Sequence, residues 1–402
     1  MKSHNLFLSF CCALLVFGCA NTARVSTDPA KNKFKVSKSV QIPNETVLSI
    51  YIAKSELESE FYSNGLHKPG KALREGVAAA FSPYFSDVSF LDVSSDKPIG
   101  LLLDIKPDWQ FEYGQIIASF DYKLFDTTGK VINQGKVSNK AGLNYSQTDA
   151  AFFNSTYKAM QQLVVRVLNK HLPTAEKYPA TLAMQDVNTN LLIDEEKPRS
   201  SGTAFLINKT GHLLTAEHVI RDCLVTKIKF ADQVYDAKIA NTSQLLDLAL
   251  LATDIESSDY LAIRAAGDLE LGEKVVSVSY PLKGLLASSP NLTLGNVTSK
   301  KALQGSLGLF QFSAPIQPGS SGGAIVSESG EAIGVVTSTL NVAELIKEGI
   351  VPQNINFALN GQYVSRFLDR NQIAYATQAS EISSTSVNEA TLASTAQVAC
   401  YQ

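Results

Sequence analysis

Residues 318–326 read Pro318-Gly319-Ser320-Ser321-Gly322-Gly323-Ala324-Ile325-Val326, a serine on a tight glycine turn between apolar strands. Small neighbours let a substrate carbonyl approach the hydroxyl, and backbone N–H groups on such a turn can converge where an oxyanion would develop. Taken alone this is weak, because glycine-serine turns are common in surface loops. The rest of the chain decides its reading. Its 402 residues are 45% hydrophobic and 18% charged, with 35 Lys and Arg against 38 Asp and Glu, for a formal net charge of −3. That composition is globular and long enough for about two or three domains. It excludes wholesale disorder and a collagen-like fibre, and it offers no basic face for nucleic acid. No apolar run reaches the ~18–20 residues that a spanning helix needs.

The turn also fits G-x-S-x-G, the nucleophile elbow of α/β-hydrolases, which requires a histidine later in the chain than the serine. The five histidines are His4, His67, His171, His212 and His218, and none follows Ser321, so the elbow reading fails. A base must come from upstream. His218 lies in Leu213-Leu214-Thr215-Ala216-Glu217-His218-Val219-Ile220, an apolar strand running into a short turn. Asp247 stands at the mouth of the buried-strand pattern Leu248-Ala249-Leu250-Leu251, where a carboxylate is costly unless a partner such as a histidine N–H receives its charge. Asp232, Asp236 and Asp254 lie nearby, but only Asp247 directly precedes the apolar run. His212, after Gly211, reads as a turn residue, and His171 as a helix-terminal cation suited to the dipole.

The order His, Asp, Ser is that of chymotrypsin-like proteases. Ser200–Ile220 (SSGTAFLINKTGHLLTAEHVI), Asp247–Leu251 (DLALL), Pro318–Val326, Glu331–Thr337 (EAIGVVT) and Asn354–Leu359 (NINFAL) together resemble the HtrA/Deg-like branch of trypsin-fold serine proteases. The resemblance implies an all-β chymotrypsin/trypsin-like double β-barrel over 200–372. It assigns Ser321 as nucleophile, His218 as general base and Asp247 as the group that orients His218. The N–H groups of Gly319 and Ser321 would form the oxyanion hole. No cofactor is implied, and two mature cysteines with few histidines give no metal-site spacing.

Three departures bear on mechanism. Digestive trypsin-like enzymes carry an aspartate before the nucleophile, which a new N-terminus meets on activation; here Ser320 stands there, so loop ordering is the expected control. Pro315 takes the place where trypsin puts a carboxylate for basic side chains, so a small or apolar side chain is the expected preference. HtrA proteins also carry peptide-binding PDZ modules after the protease, and residues 373–402 are expected to lack one.

Upstream, residues 1–18 read as a signal peptide, with Lys2 before the apolar Leu6–Phe17 stretch. Val16-Phe17-Gly18-Cys19 resembles the lipobox of bacterial lipoproteins, which implies lipidation of Cys19. Ala20 in the next position points to the outer membrane; an ordinary cleaved signal with Cys19 incidental is the alternative. Residues 19–45 read as a polar tether and 46–171 as an α+β accessory domain. Within it the alternation Ile116, Ala118, Phe120, Tyr122, Leu124 marks a half-buried strand, and Asp149–Asn169 an amphipathic helix. Residues 172–199 read as a linker, and 373–402 as a mobile Ser/Thr-rich tail. Gly65–Ala72 narrowly misses a phosphate-binding loop because Ala72 lacks the required hydroxyl.

Cys223 and Cys400 are the thiols left in the mature chain, either paired across the tail or separate. The expected partners are polypeptide substrates, a membrane reached through the N-terminal lipid, and further copies of the chain. The function expected is that of a cell-envelope serine endopeptidase in protein quality control or regulated proteolysis. The alternative is a catalytically silent protease-fold lipoprotein that binds peptides or proteins.

Overall fold

The alternating apolar residues from Ile116 to Leu124 are all buried and lie on a strand of a five-stranded sheet. This computed structural model describes residues 23–62, 65–91, 97–143, 147–281, 289–302, 307–337, 355–378 and 386–402. The signal peptide and Cys19 lie outside the described residues. The chain divides into two units, Met1–Val187 and Asn188–Gln402. Among the described residues no helix is long and apolar enough to cross a membrane.

The five strands of this sheet, in the first unit, are β1 (Leu48–Tyr51), β2 (Val88–Phe90), β3 (Leu101–Glu112), β4 (Gln115–Phe125) and β5 (Val131–Gly142), in the order β2-β1-β3-β4-β5. Helices α1 (Gly70–Phe81) and α2 (Thr148–His171) pack on the sheet through Leu73, Val77, Phe152, Leu163 and Val167.

Two boundaries differ from the sequence reading. Residues 23–45 are not a free tether but run along α2. The Asn154 side chain accepts from Val25 N (2.7 Å) and donates to Ala23 O, while Asn169 accepts from Ser37 N and donates to Lys35 O. Each amide thus does for a passing segment what a neighbouring strand would do. Nor is 172–199 one linker. Tyr178 is buried in the first core and Leu182 bridges to Ile99, whereas Ile193 packs in the second unit against Val225 and Tyr401.

The second unit contains two closed six-stranded barrels. The first joins β6 (Ser200–Leu206), β7 (His212–Thr215), β8 (Val225–Phe230), β9 (Gln233–Ser243), β10 (Leu248–Ala252) and β18 (Thr395–Tyr401), in the order β8-β9-β10-β7-β6-β18. The short helix α3 (Glu217–Ile220) follows β7. The second barrel comprises β12 (Lys274–Ser279), β13 (Asn291–Ser299), β14 (Leu309–Phe312), β15 (Ala324–Ser327), β16 (Glu331–Val336) and β17 (Asn356–Asn360), closed by pairing of β16 with β17. The two-residue β11 (Ala262–Ile263) adds to β16 in parallel. Helix α4 (Gly361–Arg370) is capped by the Asn360 side chain and buries Val364 and Leu368 at the seam between the barrels, with Phe205, Leu248 and Val326.

The tail corrects a further expectation. After α5 (Val387–Ser394), residues 395–401 are no mobile extension but the strand that closes the first barrel, Ala396 lying opposite Ala204 and Val398 opposite Ile228. Ala396, Val398 and Cys400 are fully buried, a period-2 pattern that the Ser/Thr-rich residues before it obscure. Cys400 forms a disulfide with Cys223, just beyond α3, with Cα atoms 5.3 Å apart.

One ionisable side chain is buried in the core of the first unit. Asp104 on β3 lies opposite Tyr51, is 2% exposed, and its Oδ1 has no hydrogen-bond partner among the described residues. Burial pushes its carboxyl up to about 7 against the opposing pull of Lys106 and Lys123. The folded state therefore holds a proton that the unfolded chain releases near pH ~4. Its stabilising contribution is complete below that pH and is lost as pH rises through about 7. Asp104→Asn should exceed the parent in unfolding free energy by about 2–4 kcal/mol at pH 8, with the two converging below pH ~4. Denaturant melts across that range check this; a variant less stable at pH 8 would contradict it.

Candidate active site

The Ser321 turn lies where the barrels meet, and its position follows from how closely two backbones approach. Gly322 has φ +88°, and a Cβ there would stand 2.3 Å from Thr203 O and 2.6 Å from Ala216 N. Only glycine lets the turn lie flat on β6 and on the end of β7, two residues before His218. Gly202 makes the same allowance from the other side: its Cβ would meet the Val219 side chain at 2.8 Å and Ser321 O at 2.9 Å. The residues after Ser321 and those flanking His218 are thereby in van der Waals contact.

His218 and Asp247 are paired directly. The imidazole Nδ1 lies 2.9 and 2.8 Å from the two carboxylate oxygens of Asp247, and the His218 backbone N–H donates to Oδ1 at 3.0 Å. A carboxylate only accepts, so Nδ1 carries the hydrogen and the neutral ring keeps its lone pair on Nε2. Asp247 holds this pose in the left-handed region at φ +49°, which aspartate tolerates, its N–H reaching Gln244 O. Beside them the buried Glu217 accepts from Arg221 Nε at 3.0 Å on both oxygens, and Arg199 donates to Arg221 O. These contacts hold α3 from its outer side. The hydrogen bonds to Glu217 raise the Arg221 pKa above its ordinary value.

Ser321 is half-buried. Among the described residues no hydrogen bond joins its hydroxyl to His218, and the N–H groups of Gly319 and Ser321 donate to no partner. Two free N–H groups two residues apart on a tight turn can form a concavity for an anion. The structure therefore couples His218 to Asp247, packs the Ser321 turn alongside them, and leaves Gly319 and Ser321 with unused donors.

The sequence reading missed the residues that hold the turn. Fully buried Thr203 donates from Oγ1 to Gly319 O (2.8 Å) and from its N–H to Ser321 O (2.9 Å). Its Oγ1 accepts from Tyr280 N, and its carbonyl accepts from Thr215 Oγ1 at 2.8 Å. It therefore fixes both residues whose N–H groups are free. Ser320, 1% exposed, bonds Ser279 Oγ at 2.9 Å and accepts from Gln317 N, anchoring the turn without a charge. The only sequence signal was a hydroxyl between Gly202 and the apolar Ala204-Phe205-Leu206 run.

His212 and His171 lie away from this site. His212 Nδ1 lies 3.2 Å from Asn208 Nδ2 in the β6–β7 turn. His171 ends α2, where burial, with Lys170 and Lys177 nearby, lowers its pKa. Pro315 is exposed. Among the described residues no cluster of side chains could hold a metal ion.

Residues 202–335 match the family model of the trypsin-like peptidase domain. An uncharacterized protein, y4bJ, of Sinorhizobium fredii is 38% identical over 207 residues, 51% of this chain and 32% of its own length. Protease Do-like 1, chloroplastic, of Arabidopsis thaliana is 30% identical over 205 residues, 48% of this chain and 45% of its own. Serine endoprotease DegS of Haemophilus influenzae is 24% identical over 220 residues, 54% of this chain and 59% of its own. The chain thus spans between 32% and 59% of the length of these relatives.

Thr203 bears on stability as well as position. Thr203→Val keeps the shape but strands Gly319 O and the Tyr280 N–H, and should lower the unfolding free energy by about 2–3 kcal/mol, with Thr203→Ser recovering most of it. Thermal or denaturant melts of the two variants check this; a Val variant as stable as the parent would mean the hydroxyl does not hold the turn.

Proposed function

We propose, from the trypsin-like peptidase domain at 202–335 and its HtrA/Deg-like relatives, that this protein is a serine endopeptidase working through Ser321, His218 and Asp247. The observation that carries the reading is the His218–Asp247 pair, with Nδ1–H engaged and Nε2 left basic beside the serine turn. Ser321 Oγ attacks the scissile carbonyl as His218 Nε2 takes its proton, and Asp247 stabilises the imidazolium that forms. The new C–O⁻ sits against the N–H groups of Gly319 and Ser321, a contribution of about 2.7–4 kcal/mol per donor in comparable sites. The tetrahedral species collapses as His218 passes the proton to the leaving amine. Water then hydrolyses the acyl-Ser321 ester by the same path reversed.

Pro315 places no carboxylate where a basic side chain would be read, so uncharged side chains are the expected preference before the cut. Ser320 is seated by neutral hydrogen bonds, so activation does not run through a buried ammonium. Export and attachment to the bacterial outer membrane rest on the lipobox-like Val16–Cys19. Quality control or regulated proteolysis in the envelope is the role that fits such a protein, and self-association remains part of the proposal.

The free Ser321 hydroxyl favours a second reading, a protease fold that binds polypeptide without cleaving it. Catalytic hydrogen bonds are often open before substrate arrives and tighten in the complex. A fluorophosphonate probe separates the two readings. The parent should label at Ser321, Ser321→Ala should not label, and His218→Ala should label at least a hundredfold more slowly. No labelling of the parent, even with peptides present, would favour the binding protein.

A further inference from the structure

Beside the proposed catalytic residues lies a cavity of about 380 Å³ that the proteolytic reading leaves unused. One wall is the β9–β10 hairpin, ending in Leu245 and Leu246 immediately before Asp247; the other is helix α4, presenting Tyr363, Arg366, Phe367 and Arg370. The cavity is built into the fold. Gly308, at φ +69°, lies so close to the Tyr363 ring that a Cβ would stand 2.5 Å from it. An Asn241–Asn371 side-chain hydrogen bond ties the hairpin to the end of the helix, and Asn371 also donates to Phe367 O at 2.8 Å.

The lining combines exposed apolar side chains with exposed arginines. Leu245 is 79% exposed and Leu307 48%, an apolar surface left facing water. Between and beside them stand Arg366 and Arg370, one helical turn apart and both exposed. Arg366 lies over the Tyr363 ring at 5.4 Å, and among the described residues neither guanidinium has an acidic partner. The neighbouring carboxylates are committed elsewhere: Asp369 accepts from Tyr375 and Asp247 from His218. Unpaired arginines above aliphatic and aromatic side chains complement a chain that offers carboxylates next to aliphatic groups.

We propose that this groove is a docking site for an acidic, leucine-bearing segment of polypeptide, held outside the cleavage centre and against the loop that carries Asp247. Leu245 and Leu307 take the aliphatic side chains, and Arg366 and Arg370 fork onto the carboxylates. Such a site raises the local concentration of any polypeptide that carries the segment. Docking needs no chemistry at Ser321, so it stands or falls separately from the proteolytic reading.

The test uses the full-length Ser321→Ala protein and two fluorescein-labelled hexapeptides, one of three glutamates and three leucines, the other of three lysines and three leucines. Fluorescence anisotropy at about 50 mM and about 300 mM salt measures affinity. Saturable binding of the glutamate peptide is expected, at least tenfold tighter than the lysine peptide and weakened at the higher salt. Arg366→Glu combined with Arg370→Glu should cost at least tenfold, and Leu245→Ser should cost several-fold at either salt, both variants keeping the parental thermal transition. If the double charge reversal does not retain that transition, Arg370→Gln replaces it, with a several-fold loss expected. No saturation below ~1 mM, equal affinity for both peptides, or parental affinity in the arginine variant would overturn the proposal.

Discussion

The approach of the Gly322 backbone to Thr203 and Ala216 is the constraint on which the site depends. Any side chain at 322 would collide with main-chain atoms of β6 and of the segment leading to His218. Because that contact is backbone on backbone, it fixes where Ser321 sits relative to His218 more firmly than side-chain packing could. Thr203 then converts proximity into orientation, since its hydroxyl and amide hold the carbonyls of Gly319 and Ser321 and leave the N–H groups of those residues unspent. On the other side, Asp247 grips His218 by both its ring and its main chain.

That arrangement rests on a barrel closed by the end of the chain. β18 fills the place between β6 and β8, so the strand that carries Thr203 is paired along its length with residues 395–400. The Cys223–Cys400 disulfide fastens this strand next to the turn that follows α3. A cross-link spanning 177 residues removes much loop entropy from the unfolded chain. The last strand and the helix bearing His218 are thereby one mechanical unit.

Much of this was legible in the sequence, and the failures have physical causes. Leu213–Ile220, the apolar run after Asp247 and the Ser321 turn carried strong local patterns, and the structure puts them at the seam between the barrels. Strands β9 (Gln233–Ser243) and β13 (Asn291–Ser299) carry little periodic signal of their own, because their mostly exposed or half-buried residues acquire strand geometry from pairing with neighbours. Residues 395–401 were hidden by composition: the Ser/Thr-rich residues before them suggested mobility, while Ala396, Val398 and Cys400 carried the buried face. Thr203 and Ser279 could not be found by motif. Their roles consist of hydrogen bonds to segments more than forty residues away in the chain, which no local window contains.

The most direct examination of the account is a crystal structure of the protein after reaction with a phosphonate inhibitor. Phosphorus is expected on Ser321 Oγ, one phosphoryl oxygen within about 3 Å of both the Gly319 and Ser321 nitrogens, and His218 Nε2 within hydrogen-bond reach of Oγ or of the leaving position. An adduct whose oxygens face solvent, or an imidazole still apart from the modified serine, would contradict it.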